Sequence, residues 1–235
     1  MKVAGIDGTK AGWVVVVRDE HGLAGFEARS IYDVFLGLAD AAFVAIDMPI
    51  GFLDAAAKGG RACEQLARAA MPGRASCVFS SPVRAALVAG DYPEASNINR
   101  LSSPDGLGLS KQSFALFAKM REVDDFMTPE LQNVLFEVHP ELSFTHLANA
   151  AGMTERLATK HEFDGLSARV ELLAGAGMDP RELLRARASL KAKSDDILDA
   201  TVACWTAGRR AAGVAVRYPA APARDSRGLF MEMWS

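Results

Sequence analysis

The order of predicted elements in the first third of the chain constrains the fold more than any other feature. Three short apolar runs, at residues 3–7, 13–18 and 23–29, are separated by glycine-containing turns, which predicts an antiparallel meander. A short helical pattern at 31–39 then leads to a fourth apolar run at 43–47. A strand that follows a helical crossover usually lies parallel to a neighbour. The order β-β-β-α-β therefore predicts an α/β fold with a mixed central sheet flanked by helices.

The remainder of the chain is mostly helical in pattern. Helices are predicted after Ser110 and after Ser194, and a buried strand is predicted at 135–138. No repeat, low-complexity tract or linker interrupts the sequence. We therefore predict a single domain over residues 1–235, with a helical insertion at about 55–130.

Charge and cysteine content limit the class of function. The chain has 26 Lys and Arg against 29 Asp and Glu, a net charge of −3, whereas proteins that coat long nucleic acids are strongly basic. Three cysteines without a C-x-x-C pair argue against a disulfide framework or a zinc site. The chain has no signal-peptide pattern and no apolar run of roughly 18 residues. We expect a cytoplasmic protein without a membrane partner, and the sequence leaves the oligomeric state open.

Two aspartates stand at the ends of predicted strands. Asp7 ends the first strand and Asp47 ends the fourth. If these strands are parallel neighbours, both carboxylates emerge at the edge where open α/β sheets bind their ligands. The alternative is that each aspartate only accepts hydrogen bonds from the turn that follows it.

A further group of acids opens the helix after Ser194. Asp199 lies three and four residues after Asp196 and Asp195, so the three share one helix face. The first two also suit the positive end of the helix dipole. Asp199 is followed by an apolar stretch, which predicts burial. A buried ionised carboxylate needs a cation or hydrogen-bond donors, and either a metal ion or an arginine would serve.

These motifs resemble a known family. The chain is similar to the ribonuclease H-like superfamily, especially to the Holliday-junction resolvase branch, whose last helix carries a D-x-x-D-A pattern. It resembles most a family of predicted ribonuclease H-like nucleases described as a domain of unknown function. The matching motifs are Gly5-Ile-Asp-Gly-Thr-Lys-Ala-Gly-Trp13, Ile46-Asp-Met-Pro-Ile-Gly51, Gly108-Leu-Ser-Lys-Gln112, Glu137-Val-His-Pro-Glu141 and the stretch from Asp195 to Ala200.

The resemblance implies a metal site built from carboxylates. Asp7, Asp47 and Asp199 would bind Mg²⁺ or Mn²⁺, with Asp196 completing the set; the resolvase branch has glutamate where this chain has Asp47. Glu137 has no counterpart in the resolvase branch, and we predict that it is either a fourth ligand or a residue that orients a basic side chain. Two such ions can clamp a phosphodiester, activating water and stabilising the leaving oxygen. The implied activity is that of a metal-dependent nuclease or phosphodiesterase.

A basic segment is the candidate phosphate-binding surface. Between residues 58 and 84 there are five basic residues and one acid, and such a patch would hold the phosphates of a nucleic acid or nucleotide. The alternative is an ordinary solvated face. The predicted phosphate-binding residues are Arg61, Arg68, Arg74, Arg84 and Lys111, and Lys160 and Arg169 are possible additions.

Two other functions fit parts of the sequence. One is a non-catalytic domain that binds a nucleotide or a partner. The other is a phosphotransferase related to sugar kinases and actin, because Asp7-Gly8-Thr9 resembles their phosphate loop. That architecture normally needs two copies of the fold and a second glycine-rich turn, and the sequence shows neither.

Overall fold

The computed structural model describes residues 1–153, 157–159 and 163–235. Its strands and helices in chain order are β1 Val3–Thr9, β2 Gly12–Asp19, β3 Gly22–Ala28, α1 Ile31–Gly37, β4 Phe43–Ile46, α2 Ala62–Ala70, α3 Tyr92–Leu101, α4 Lys111–Ala115, α5 Phe117–Phe126, β5 Leu135–Glu137, α6 Pro140–Ala150, α7 Phe163–Gly175, α8 Arg181–Arg185, α9 Ser194–Ala211, β6 Arg217–Tyr218 and β7 Met233–Trp234. Short 3₁₀ turns occupy Ala75–Cys77, Arg84–Val88 and Leu131–Asn133. None of the helices within these described ranges has the length and apolar character needed to cross a membrane.

The chain divides into two compact units. Unit 1 consists of Met1–Asp47, Val134–Val216 and Trp234–Ser235, and unit 2 consists of Met48–Asn133 and Arg217–Met233. The helical insertion predicted at about 55–130 falls inside unit 2, which also takes in a segment near the end of the chain. Unit 1 contains the central sheet and all the carboxylates singled out from the sequence.

The central sheet of unit 1 is mixed and has the order β3-β2-β1-β4-β5. β2 runs antiparallel to both β1 and β3, while β4 runs parallel to both β1 and β5. The four consecutive valines of β2 are buried, because β-branched side chains pack well on a pleated surface. The predicted β-β-β-α-β order of elements along the chain and the α/β class with a mixed, helix-flanked sheet are confirmed.

Helix α9 packs directly on β1 because Gly5 has no side chain. A Cβ atom added at Gly5 would lie 2.1 Å from the carbonyl oxygen of Ala200 and 2.1 Å from the amide nitrogen of Cys204. Both of these atoms belong to the backbone of α9, so no side-chain rotation could relieve the contact. The glycine thus allows the helix backbone to approach the strand closely.

The side chains that meet α9 define one face of the sheet, which we call the α9 face. Val3, Val16, Ala45 and Phe136 form a buried cluster with α9 residues that include Ala200. Alternate residues of a strand point to the same face, and the strand register aligns Gly5 with Val16 and Ala45, and Ala45 with Phe136. The α9 face is therefore the one shared by the odd-numbered residues of β1.

A second buried cluster joins α6, α7 and α9 within unit 1. It contains apolar residues of all three helices, namely Phe144, Leu147, Ala148, Leu172, Leu173, Leu198 and Val202, together with Leu157 from the segment between α6 and α7. Helix α9 belongs to both clusters, so it is covered on two sides. This explains why ten of its residues are buried.

The helix predicted after Ser110 forms, but in two pieces. The Ser110 hydroxyl accepts a hydrogen bond from the Ser113 amide at 3.0 Å and caps α4. The helix is interrupted at Leu116 and resumes as α5. The carboxylate of Asp124 on α5 binds two guanidinium groups of unit 2, those of Arg84 and Arg227.

The three cysteines differ in exposure, which gives a simple chemical test of the fold. Cys63 and Cys204 are buried and Cys77 is exposed. Burial raises the pKa of the Cys204 thiol to about 12, and the thiolate is the reactive form. We expect Ellman's reagent to modify one thiol rapidly in the folded protein and all three in denaturant. The Cys77→Ser variant should show no rapid reaction, and fast modification of that variant would contradict the described packing.

Candidate functional site

Asp7 and Asp47 stand side by side at one edge of the central sheet. Asp7 lies on β1, where it shares the α9 face with Gly5. Asp47 directly follows β4, and its amide donates a hydrogen bond to the Ile6 carbonyl at 3.0 Å, which extends the parallel ladder by one residue. The Gly8 amide donates a hydrogen bond of 2.7 Å to Oδ1 of Asp7 and fixes the orientation of that carboxyl group.

Helix α9 brings two more carboxylates to the same place. Asp199 precedes Ala200, the residue whose carbonyl abuts Gly5, and its side chain is buried. Asp196 lies one turn earlier on the same helix face. Its Oδ2 atom accepts a hydrogen bond from the Lys193 amide at 2.9 Å. The close approach of α9 to β1 therefore determines where both acids lie.

Electrostatics show that the four aspartates form one cluster. The pKa of the Asp7 carboxyl is raised well above its usual value, first by burial and then by the negative charges of Asp47, Asp199 and Asp196. The hydrogen bond from Gly8 opposes this shift but does not cancel it. We call Asp7, Asp47, Asp196 and Asp199 the aspartate cluster. Asp7 and Asp199 are buried, and Asp47 and Asp196 are half-buried, so this grouping of acids is unfavourable unless protons or cations offset their charge.

The aspartate cluster is not arranged as a closed metal site in the part of the chain that the structure describes. Within residues 1–153, 157–159 and 163–235, no three or more His, Cys, Asp or Glu side chains are arranged to hold a metal ion. Asp47, Asp196 and Asp199 are near enough to Asp7 for their charges to raise the pKa of its carboxyl group.

Glu137 lies on the other side of the sheet. The parallel register pairs Glu137 with Ile46, and Ile46 with Ile6. These three residues belong to the face opposite the α9 face, because their neighbours Gly5, Ala45 and Phe136 point to α9. Glu137 is buried, but it does not share the side of the sheet occupied by Asp7. The geometry therefore does not favour the ligand role predicted for it.

Two of the predicted phosphate-binding arginines are bound within unit 2. The buried guanidinium of Arg61 donates from Nε to Oε1 of Glu64 at 2.7 Å and from Nη1 to the carbonyl of Ile50 at 2.9 Å. Arg84 binds the carboxylates of Asp124 and Asp225. Although burial alone would raise the pKa of Asp225, its hydrogen bonds from Arg84 and two backbone amides lower it. These arginines stabilise the interior of unit 2.

The other predicted cations vary in exposure. Arg68 donates to the backbone carbonyls of Gly59 and Val78, Arg74 is buried, and Lys111 is exposed with its ammonium 5.9 Å from the centre of the Tyr92 ring. Only Lys111 has an exposed side chain, so the predicted basic surface is not a continuous patch of accessible cations.

Arg169 and Lys160 were the two residues that the sequence offered as additions to the basic surface. Arg169 is fully buried in unit 1 and donates to Oε1 of Glu141 at 2.7 Å. The prediction that it adds to a phosphate-binding surface is wrong, because a side chain without solvent exposure does not reach a ligand. Lys160 lies outside the described residues.

A basic pocket that the sequence reasoning missed lies in unit 1 beside the aspartate cluster. It has a volume of about 690 Å³, within the range of clefts that hold small ligands. Asp196 forms part of its wall, so the pocket and the cluster share a residue. The lining residues are Lys10, Arg185, Arg187, Ala188, Lys191, Ala192, Lys193, Ser194 and Asp196. We call this feature the basic pocket.

Comparison with known proteins identifies the family but no activity. The model of a family described as "Protein of unknown function (DUF429)" matches residues 5–224. That range includes the whole aspartate cluster and the basic pocket. No curated protein and no solved structure shows significant similarity to the chain.

Proposed function

This chain belongs to the DUF429 family of proteins of unknown function, and we propose that it is a divalent-metal-dependent hydrolase of phosphodiester bonds. The observation that carries the proposal is the aspartate cluster, in which the charges of Asp47, Asp199 and Asp196 raise the pKa of the buried Asp7 carboxyl. Such a cluster lowers the stability of the folded state when it is ionised. A cation that binds among the carboxylates would reverse this effect.

The chemistry of the cluster fits Mg²⁺ or Mn²⁺. Both ions prefer oxygen ligands, and the four side chains supply only carboxylate oxygens. Asp7, Asp47 and Asp199 would hold the metal, and Asp196 would complete the set from the wall of the basic pocket. Glu137 is left out, because it lies on the opposite face of the sheet.

The strand order and the placement of the acids support a ribonuclease H-like fold as part of this proposal. The β-β-β-α-β run, an acid on β1, an acid after β4 and two acids on the last helix of unit 1 all match the resemblance noted from the sequence. The adjacent, parallel β1 and β4 put Asp7 and Asp47 at one edge. A ligand site at that edge is the usual arrangement in open α/β sheets.

The residues of the chain have distinct roles in the proposed reaction. When bound, the metal supplies Lewis acidity and lowers the pKa of a coordinated water, so no protein nucleophile is required. Gly8 keeps the Asp7 carboxyl in place through its 2.7 Å hydrogen bond. The Lys193 amide does the same for Asp196. Asp199 is held by a helix that contacts β1 through backbone atoms, so its position changes little when a substrate arrives.

The proposal is tested by turnover on a panel of single-stranded DNA, duplex DNA, RNA, a four-way junction and a dinucleotide. We expect hydrolysis of at least one substrate in Mg²⁺ or Mn²⁺ and none after chelation with EDTA. The same metals should raise the melting temperature, because a ligand that binds only the folded state stabilises it. Hydrolysis that continues in EDTA, or metals that leave both turnover and melting unchanged, would contradict the proposal.

A further inference from the structure

The basic pocket concentrates positive charge in a protein of net charge −3. Its wall carries five cations and a single acid, Asp196. Two of the cations are partly neutralised, since Lys191 pairs with Glu27 and Arg185 pairs with Glu182. All five cationic side chains are exposed.

The other three cations are available to bind a ligand. In the part of the chain that the structure describes, Lys10, Arg187 and Lys193 form no ion pair. Cations held near one another repel, and an anion between them relieves the repulsion. Arginine and lysine are also the side chains that most often bind phosphate. The pocket is therefore suited to phosphate oxygens.

The position of the pocket indicates what kind of phosphate compound it binds. Lys10 follows β1 in the turn to β2, at the same edge of the sheet as Asp7. Asp196 lines the pocket, and its negative charge also raises the pKa of the Asp7 carboxyl group. A pocket of about 690 Å³ is much larger than one phosphate group, so a single phosphate would not fill it. A strand with successive phosphates would place one in the pocket and another at the cluster.

We propose that the basic pocket binds backbone phosphates of a nucleic-acid strand, next to the phosphodiester that lies at the aspartate cluster. This inference rests on the proposed function, because it places the nucleic-acid strand relative to the proposed site of hydrolysis. It places the phosphate-binding residues in unit 1, at Lys10, Arg187 and Lys193, and not at the arginines predicted from the sequence. The cations offset the repulsion that the aspartates exert on an incoming polyanion.

The test measures binding without turnover. Fluorescence anisotropy of end-labelled oligothymidylate and of oligouridylate is recorded in EDTA over a range of salt concentrations. The variant is the triple substitution Lys10→Gln, Arg187→Gln and Lys193→Gln, whose exposed positions leave the core intact. Loss of three phosphate contacts should weaken binding by at least about tenfold and reduce the slope of log K against log salt by about 2, since each contact to a single strand contributes roughly 0.7.

Two matched controls accompany the triple variant. Arg18 is exposed and belongs to unit 1, but it pairs with Val3 at the opposite end of the sheet from Lys10, so Arg18→Gln should bind as the wild type does. Lys111→Gln probes the surface predicted from the sequence and should also bind normally. Circular dichroism and melting of each variant establish that it is folded.

Each outcome decides the inference separately from the proposed function. Unchanged affinity in the folded triple variant, or a loss confined to Lys111→Gln, would overturn the phosphate role of the pocket even if hydrolysis is found. Binding of pyrophosphate as tight as that of the oligonucleotides would show a small-anion site and overturn the strand assignment. If binding follows the expected pattern while no substrate is hydrolysed, the pocket assignment holds and the proposed hydrolysis fails.

Discussion

Replacing Asp7 with asparagine should abolish metal-dependent hydrolysis while making the folded protein more stable above neutral pH. Mutating residues that only orient metal ligands typically costs about 10–100-fold, so loss of a ligand in the aspartate cluster should cost more than about 100-fold in turnover. The gain in stability has a different origin. Asparagine removes a buried charge that Asp47, Asp199 and Asp196 repel.

The pH dependence of the Asp7→Asn effect follows from the direction of the pKa shift. The folded-state pKa of Asp7 lies well above the value of 3.8 that describes an unperturbed aspartate. The folded state therefore binds the proton more tightly than the unfolded state does, and wild-type stability falls as pH rises from 3.8 through the raised pKa. The variant should melt at a higher temperature than the wild type near pH 8, with the difference shrinking as the pH approaches about 4.

A matched control separates this effect from the general loss of an acid. Asp105 is exposed, so Asp105→Asn should retain both wild-type turnover and the wild-type pH profile of melting. Metal should raise the melting temperature of the wild type more at high pH than at low pH, because protons compete for the same carboxylates. Full turnover in Asp7→Asn, or a melting temperature below that of the wild type at pH 8, would refute the role of the cluster.

Replacing Gly5 with alanine should destabilise the protein by about 3 kcal/mol or more, since overpacking a core typically costs about 1–3 kcal/mol even when side chains can adjust. Here the added Cβ would lie 2.1 Å from two backbone atoms of α9, the carbonyl oxygen of Ala200 and the amide nitrogen of Cys204. The helix must move away from β1 to accommodate it. Urea denaturation of the variant and the wild type measures the change in the free energy of unfolding.

Gly208 provides the control on the same helix. It lies in α9 with a helical backbone. A Cβ atom added at this position would have no neighbouring residue within 4 Å. Gly208→Ala should therefore be neutral or stabilising, by up to about 1 kcal/mol, because alanine favours a helix over glycine. Equal unfolding free energies for Gly5→Ala and the wild type would show that α9 does not rest on β1 as described. A folded Gly5→Ala protein should also lose metal binding, since Asp199 moves with the helix.

The parts of the fold that depend on local pattern could be predicted from the sequence. Short apolar runs and turn glycines define the first four strands, and the crossover through α1 predicts that β4 lies parallel to β1. The ends of these strands then bring Asp7 and Asp47 to one edge. The burial of Asp199 also follows from the apolar residues around it on α9.

The features that depend on register or on distant partners could not be predicted. Glu137 faces one side of the sheet because of its pairing with Ile46. The long segment Met48–Asn133 separates the two strands in the sequence, so no local pattern specifies that pairing. The ion pairs of Arg84 likewise involve Asp124 and Asp225, which are far away in the sequence.

The basic pocket did leave a signal in the sequence. Four of its five cations fall between residues 185 and 193, just before α9. Their proximity to Lys10 depends on the packing of α9 against β1, which joins the beginning of the chain to a segment near its end. The sequence therefore shows the basic run and the acids that follow it, but not its proximity to Lys10.

The contact between Gly5 and α9 also affects how the protein folds. Synthesis delivers β1, β2 and β3 first, and local pairing of these strands closes only short loops. The apolar surface that includes Val3 and Val16 is buried only when α9 packs on the strands. Contacts of such long sequence separation slow folding. Asp7 on β1 and Asp199 on α9 therefore come together only when this long-range contact has formed.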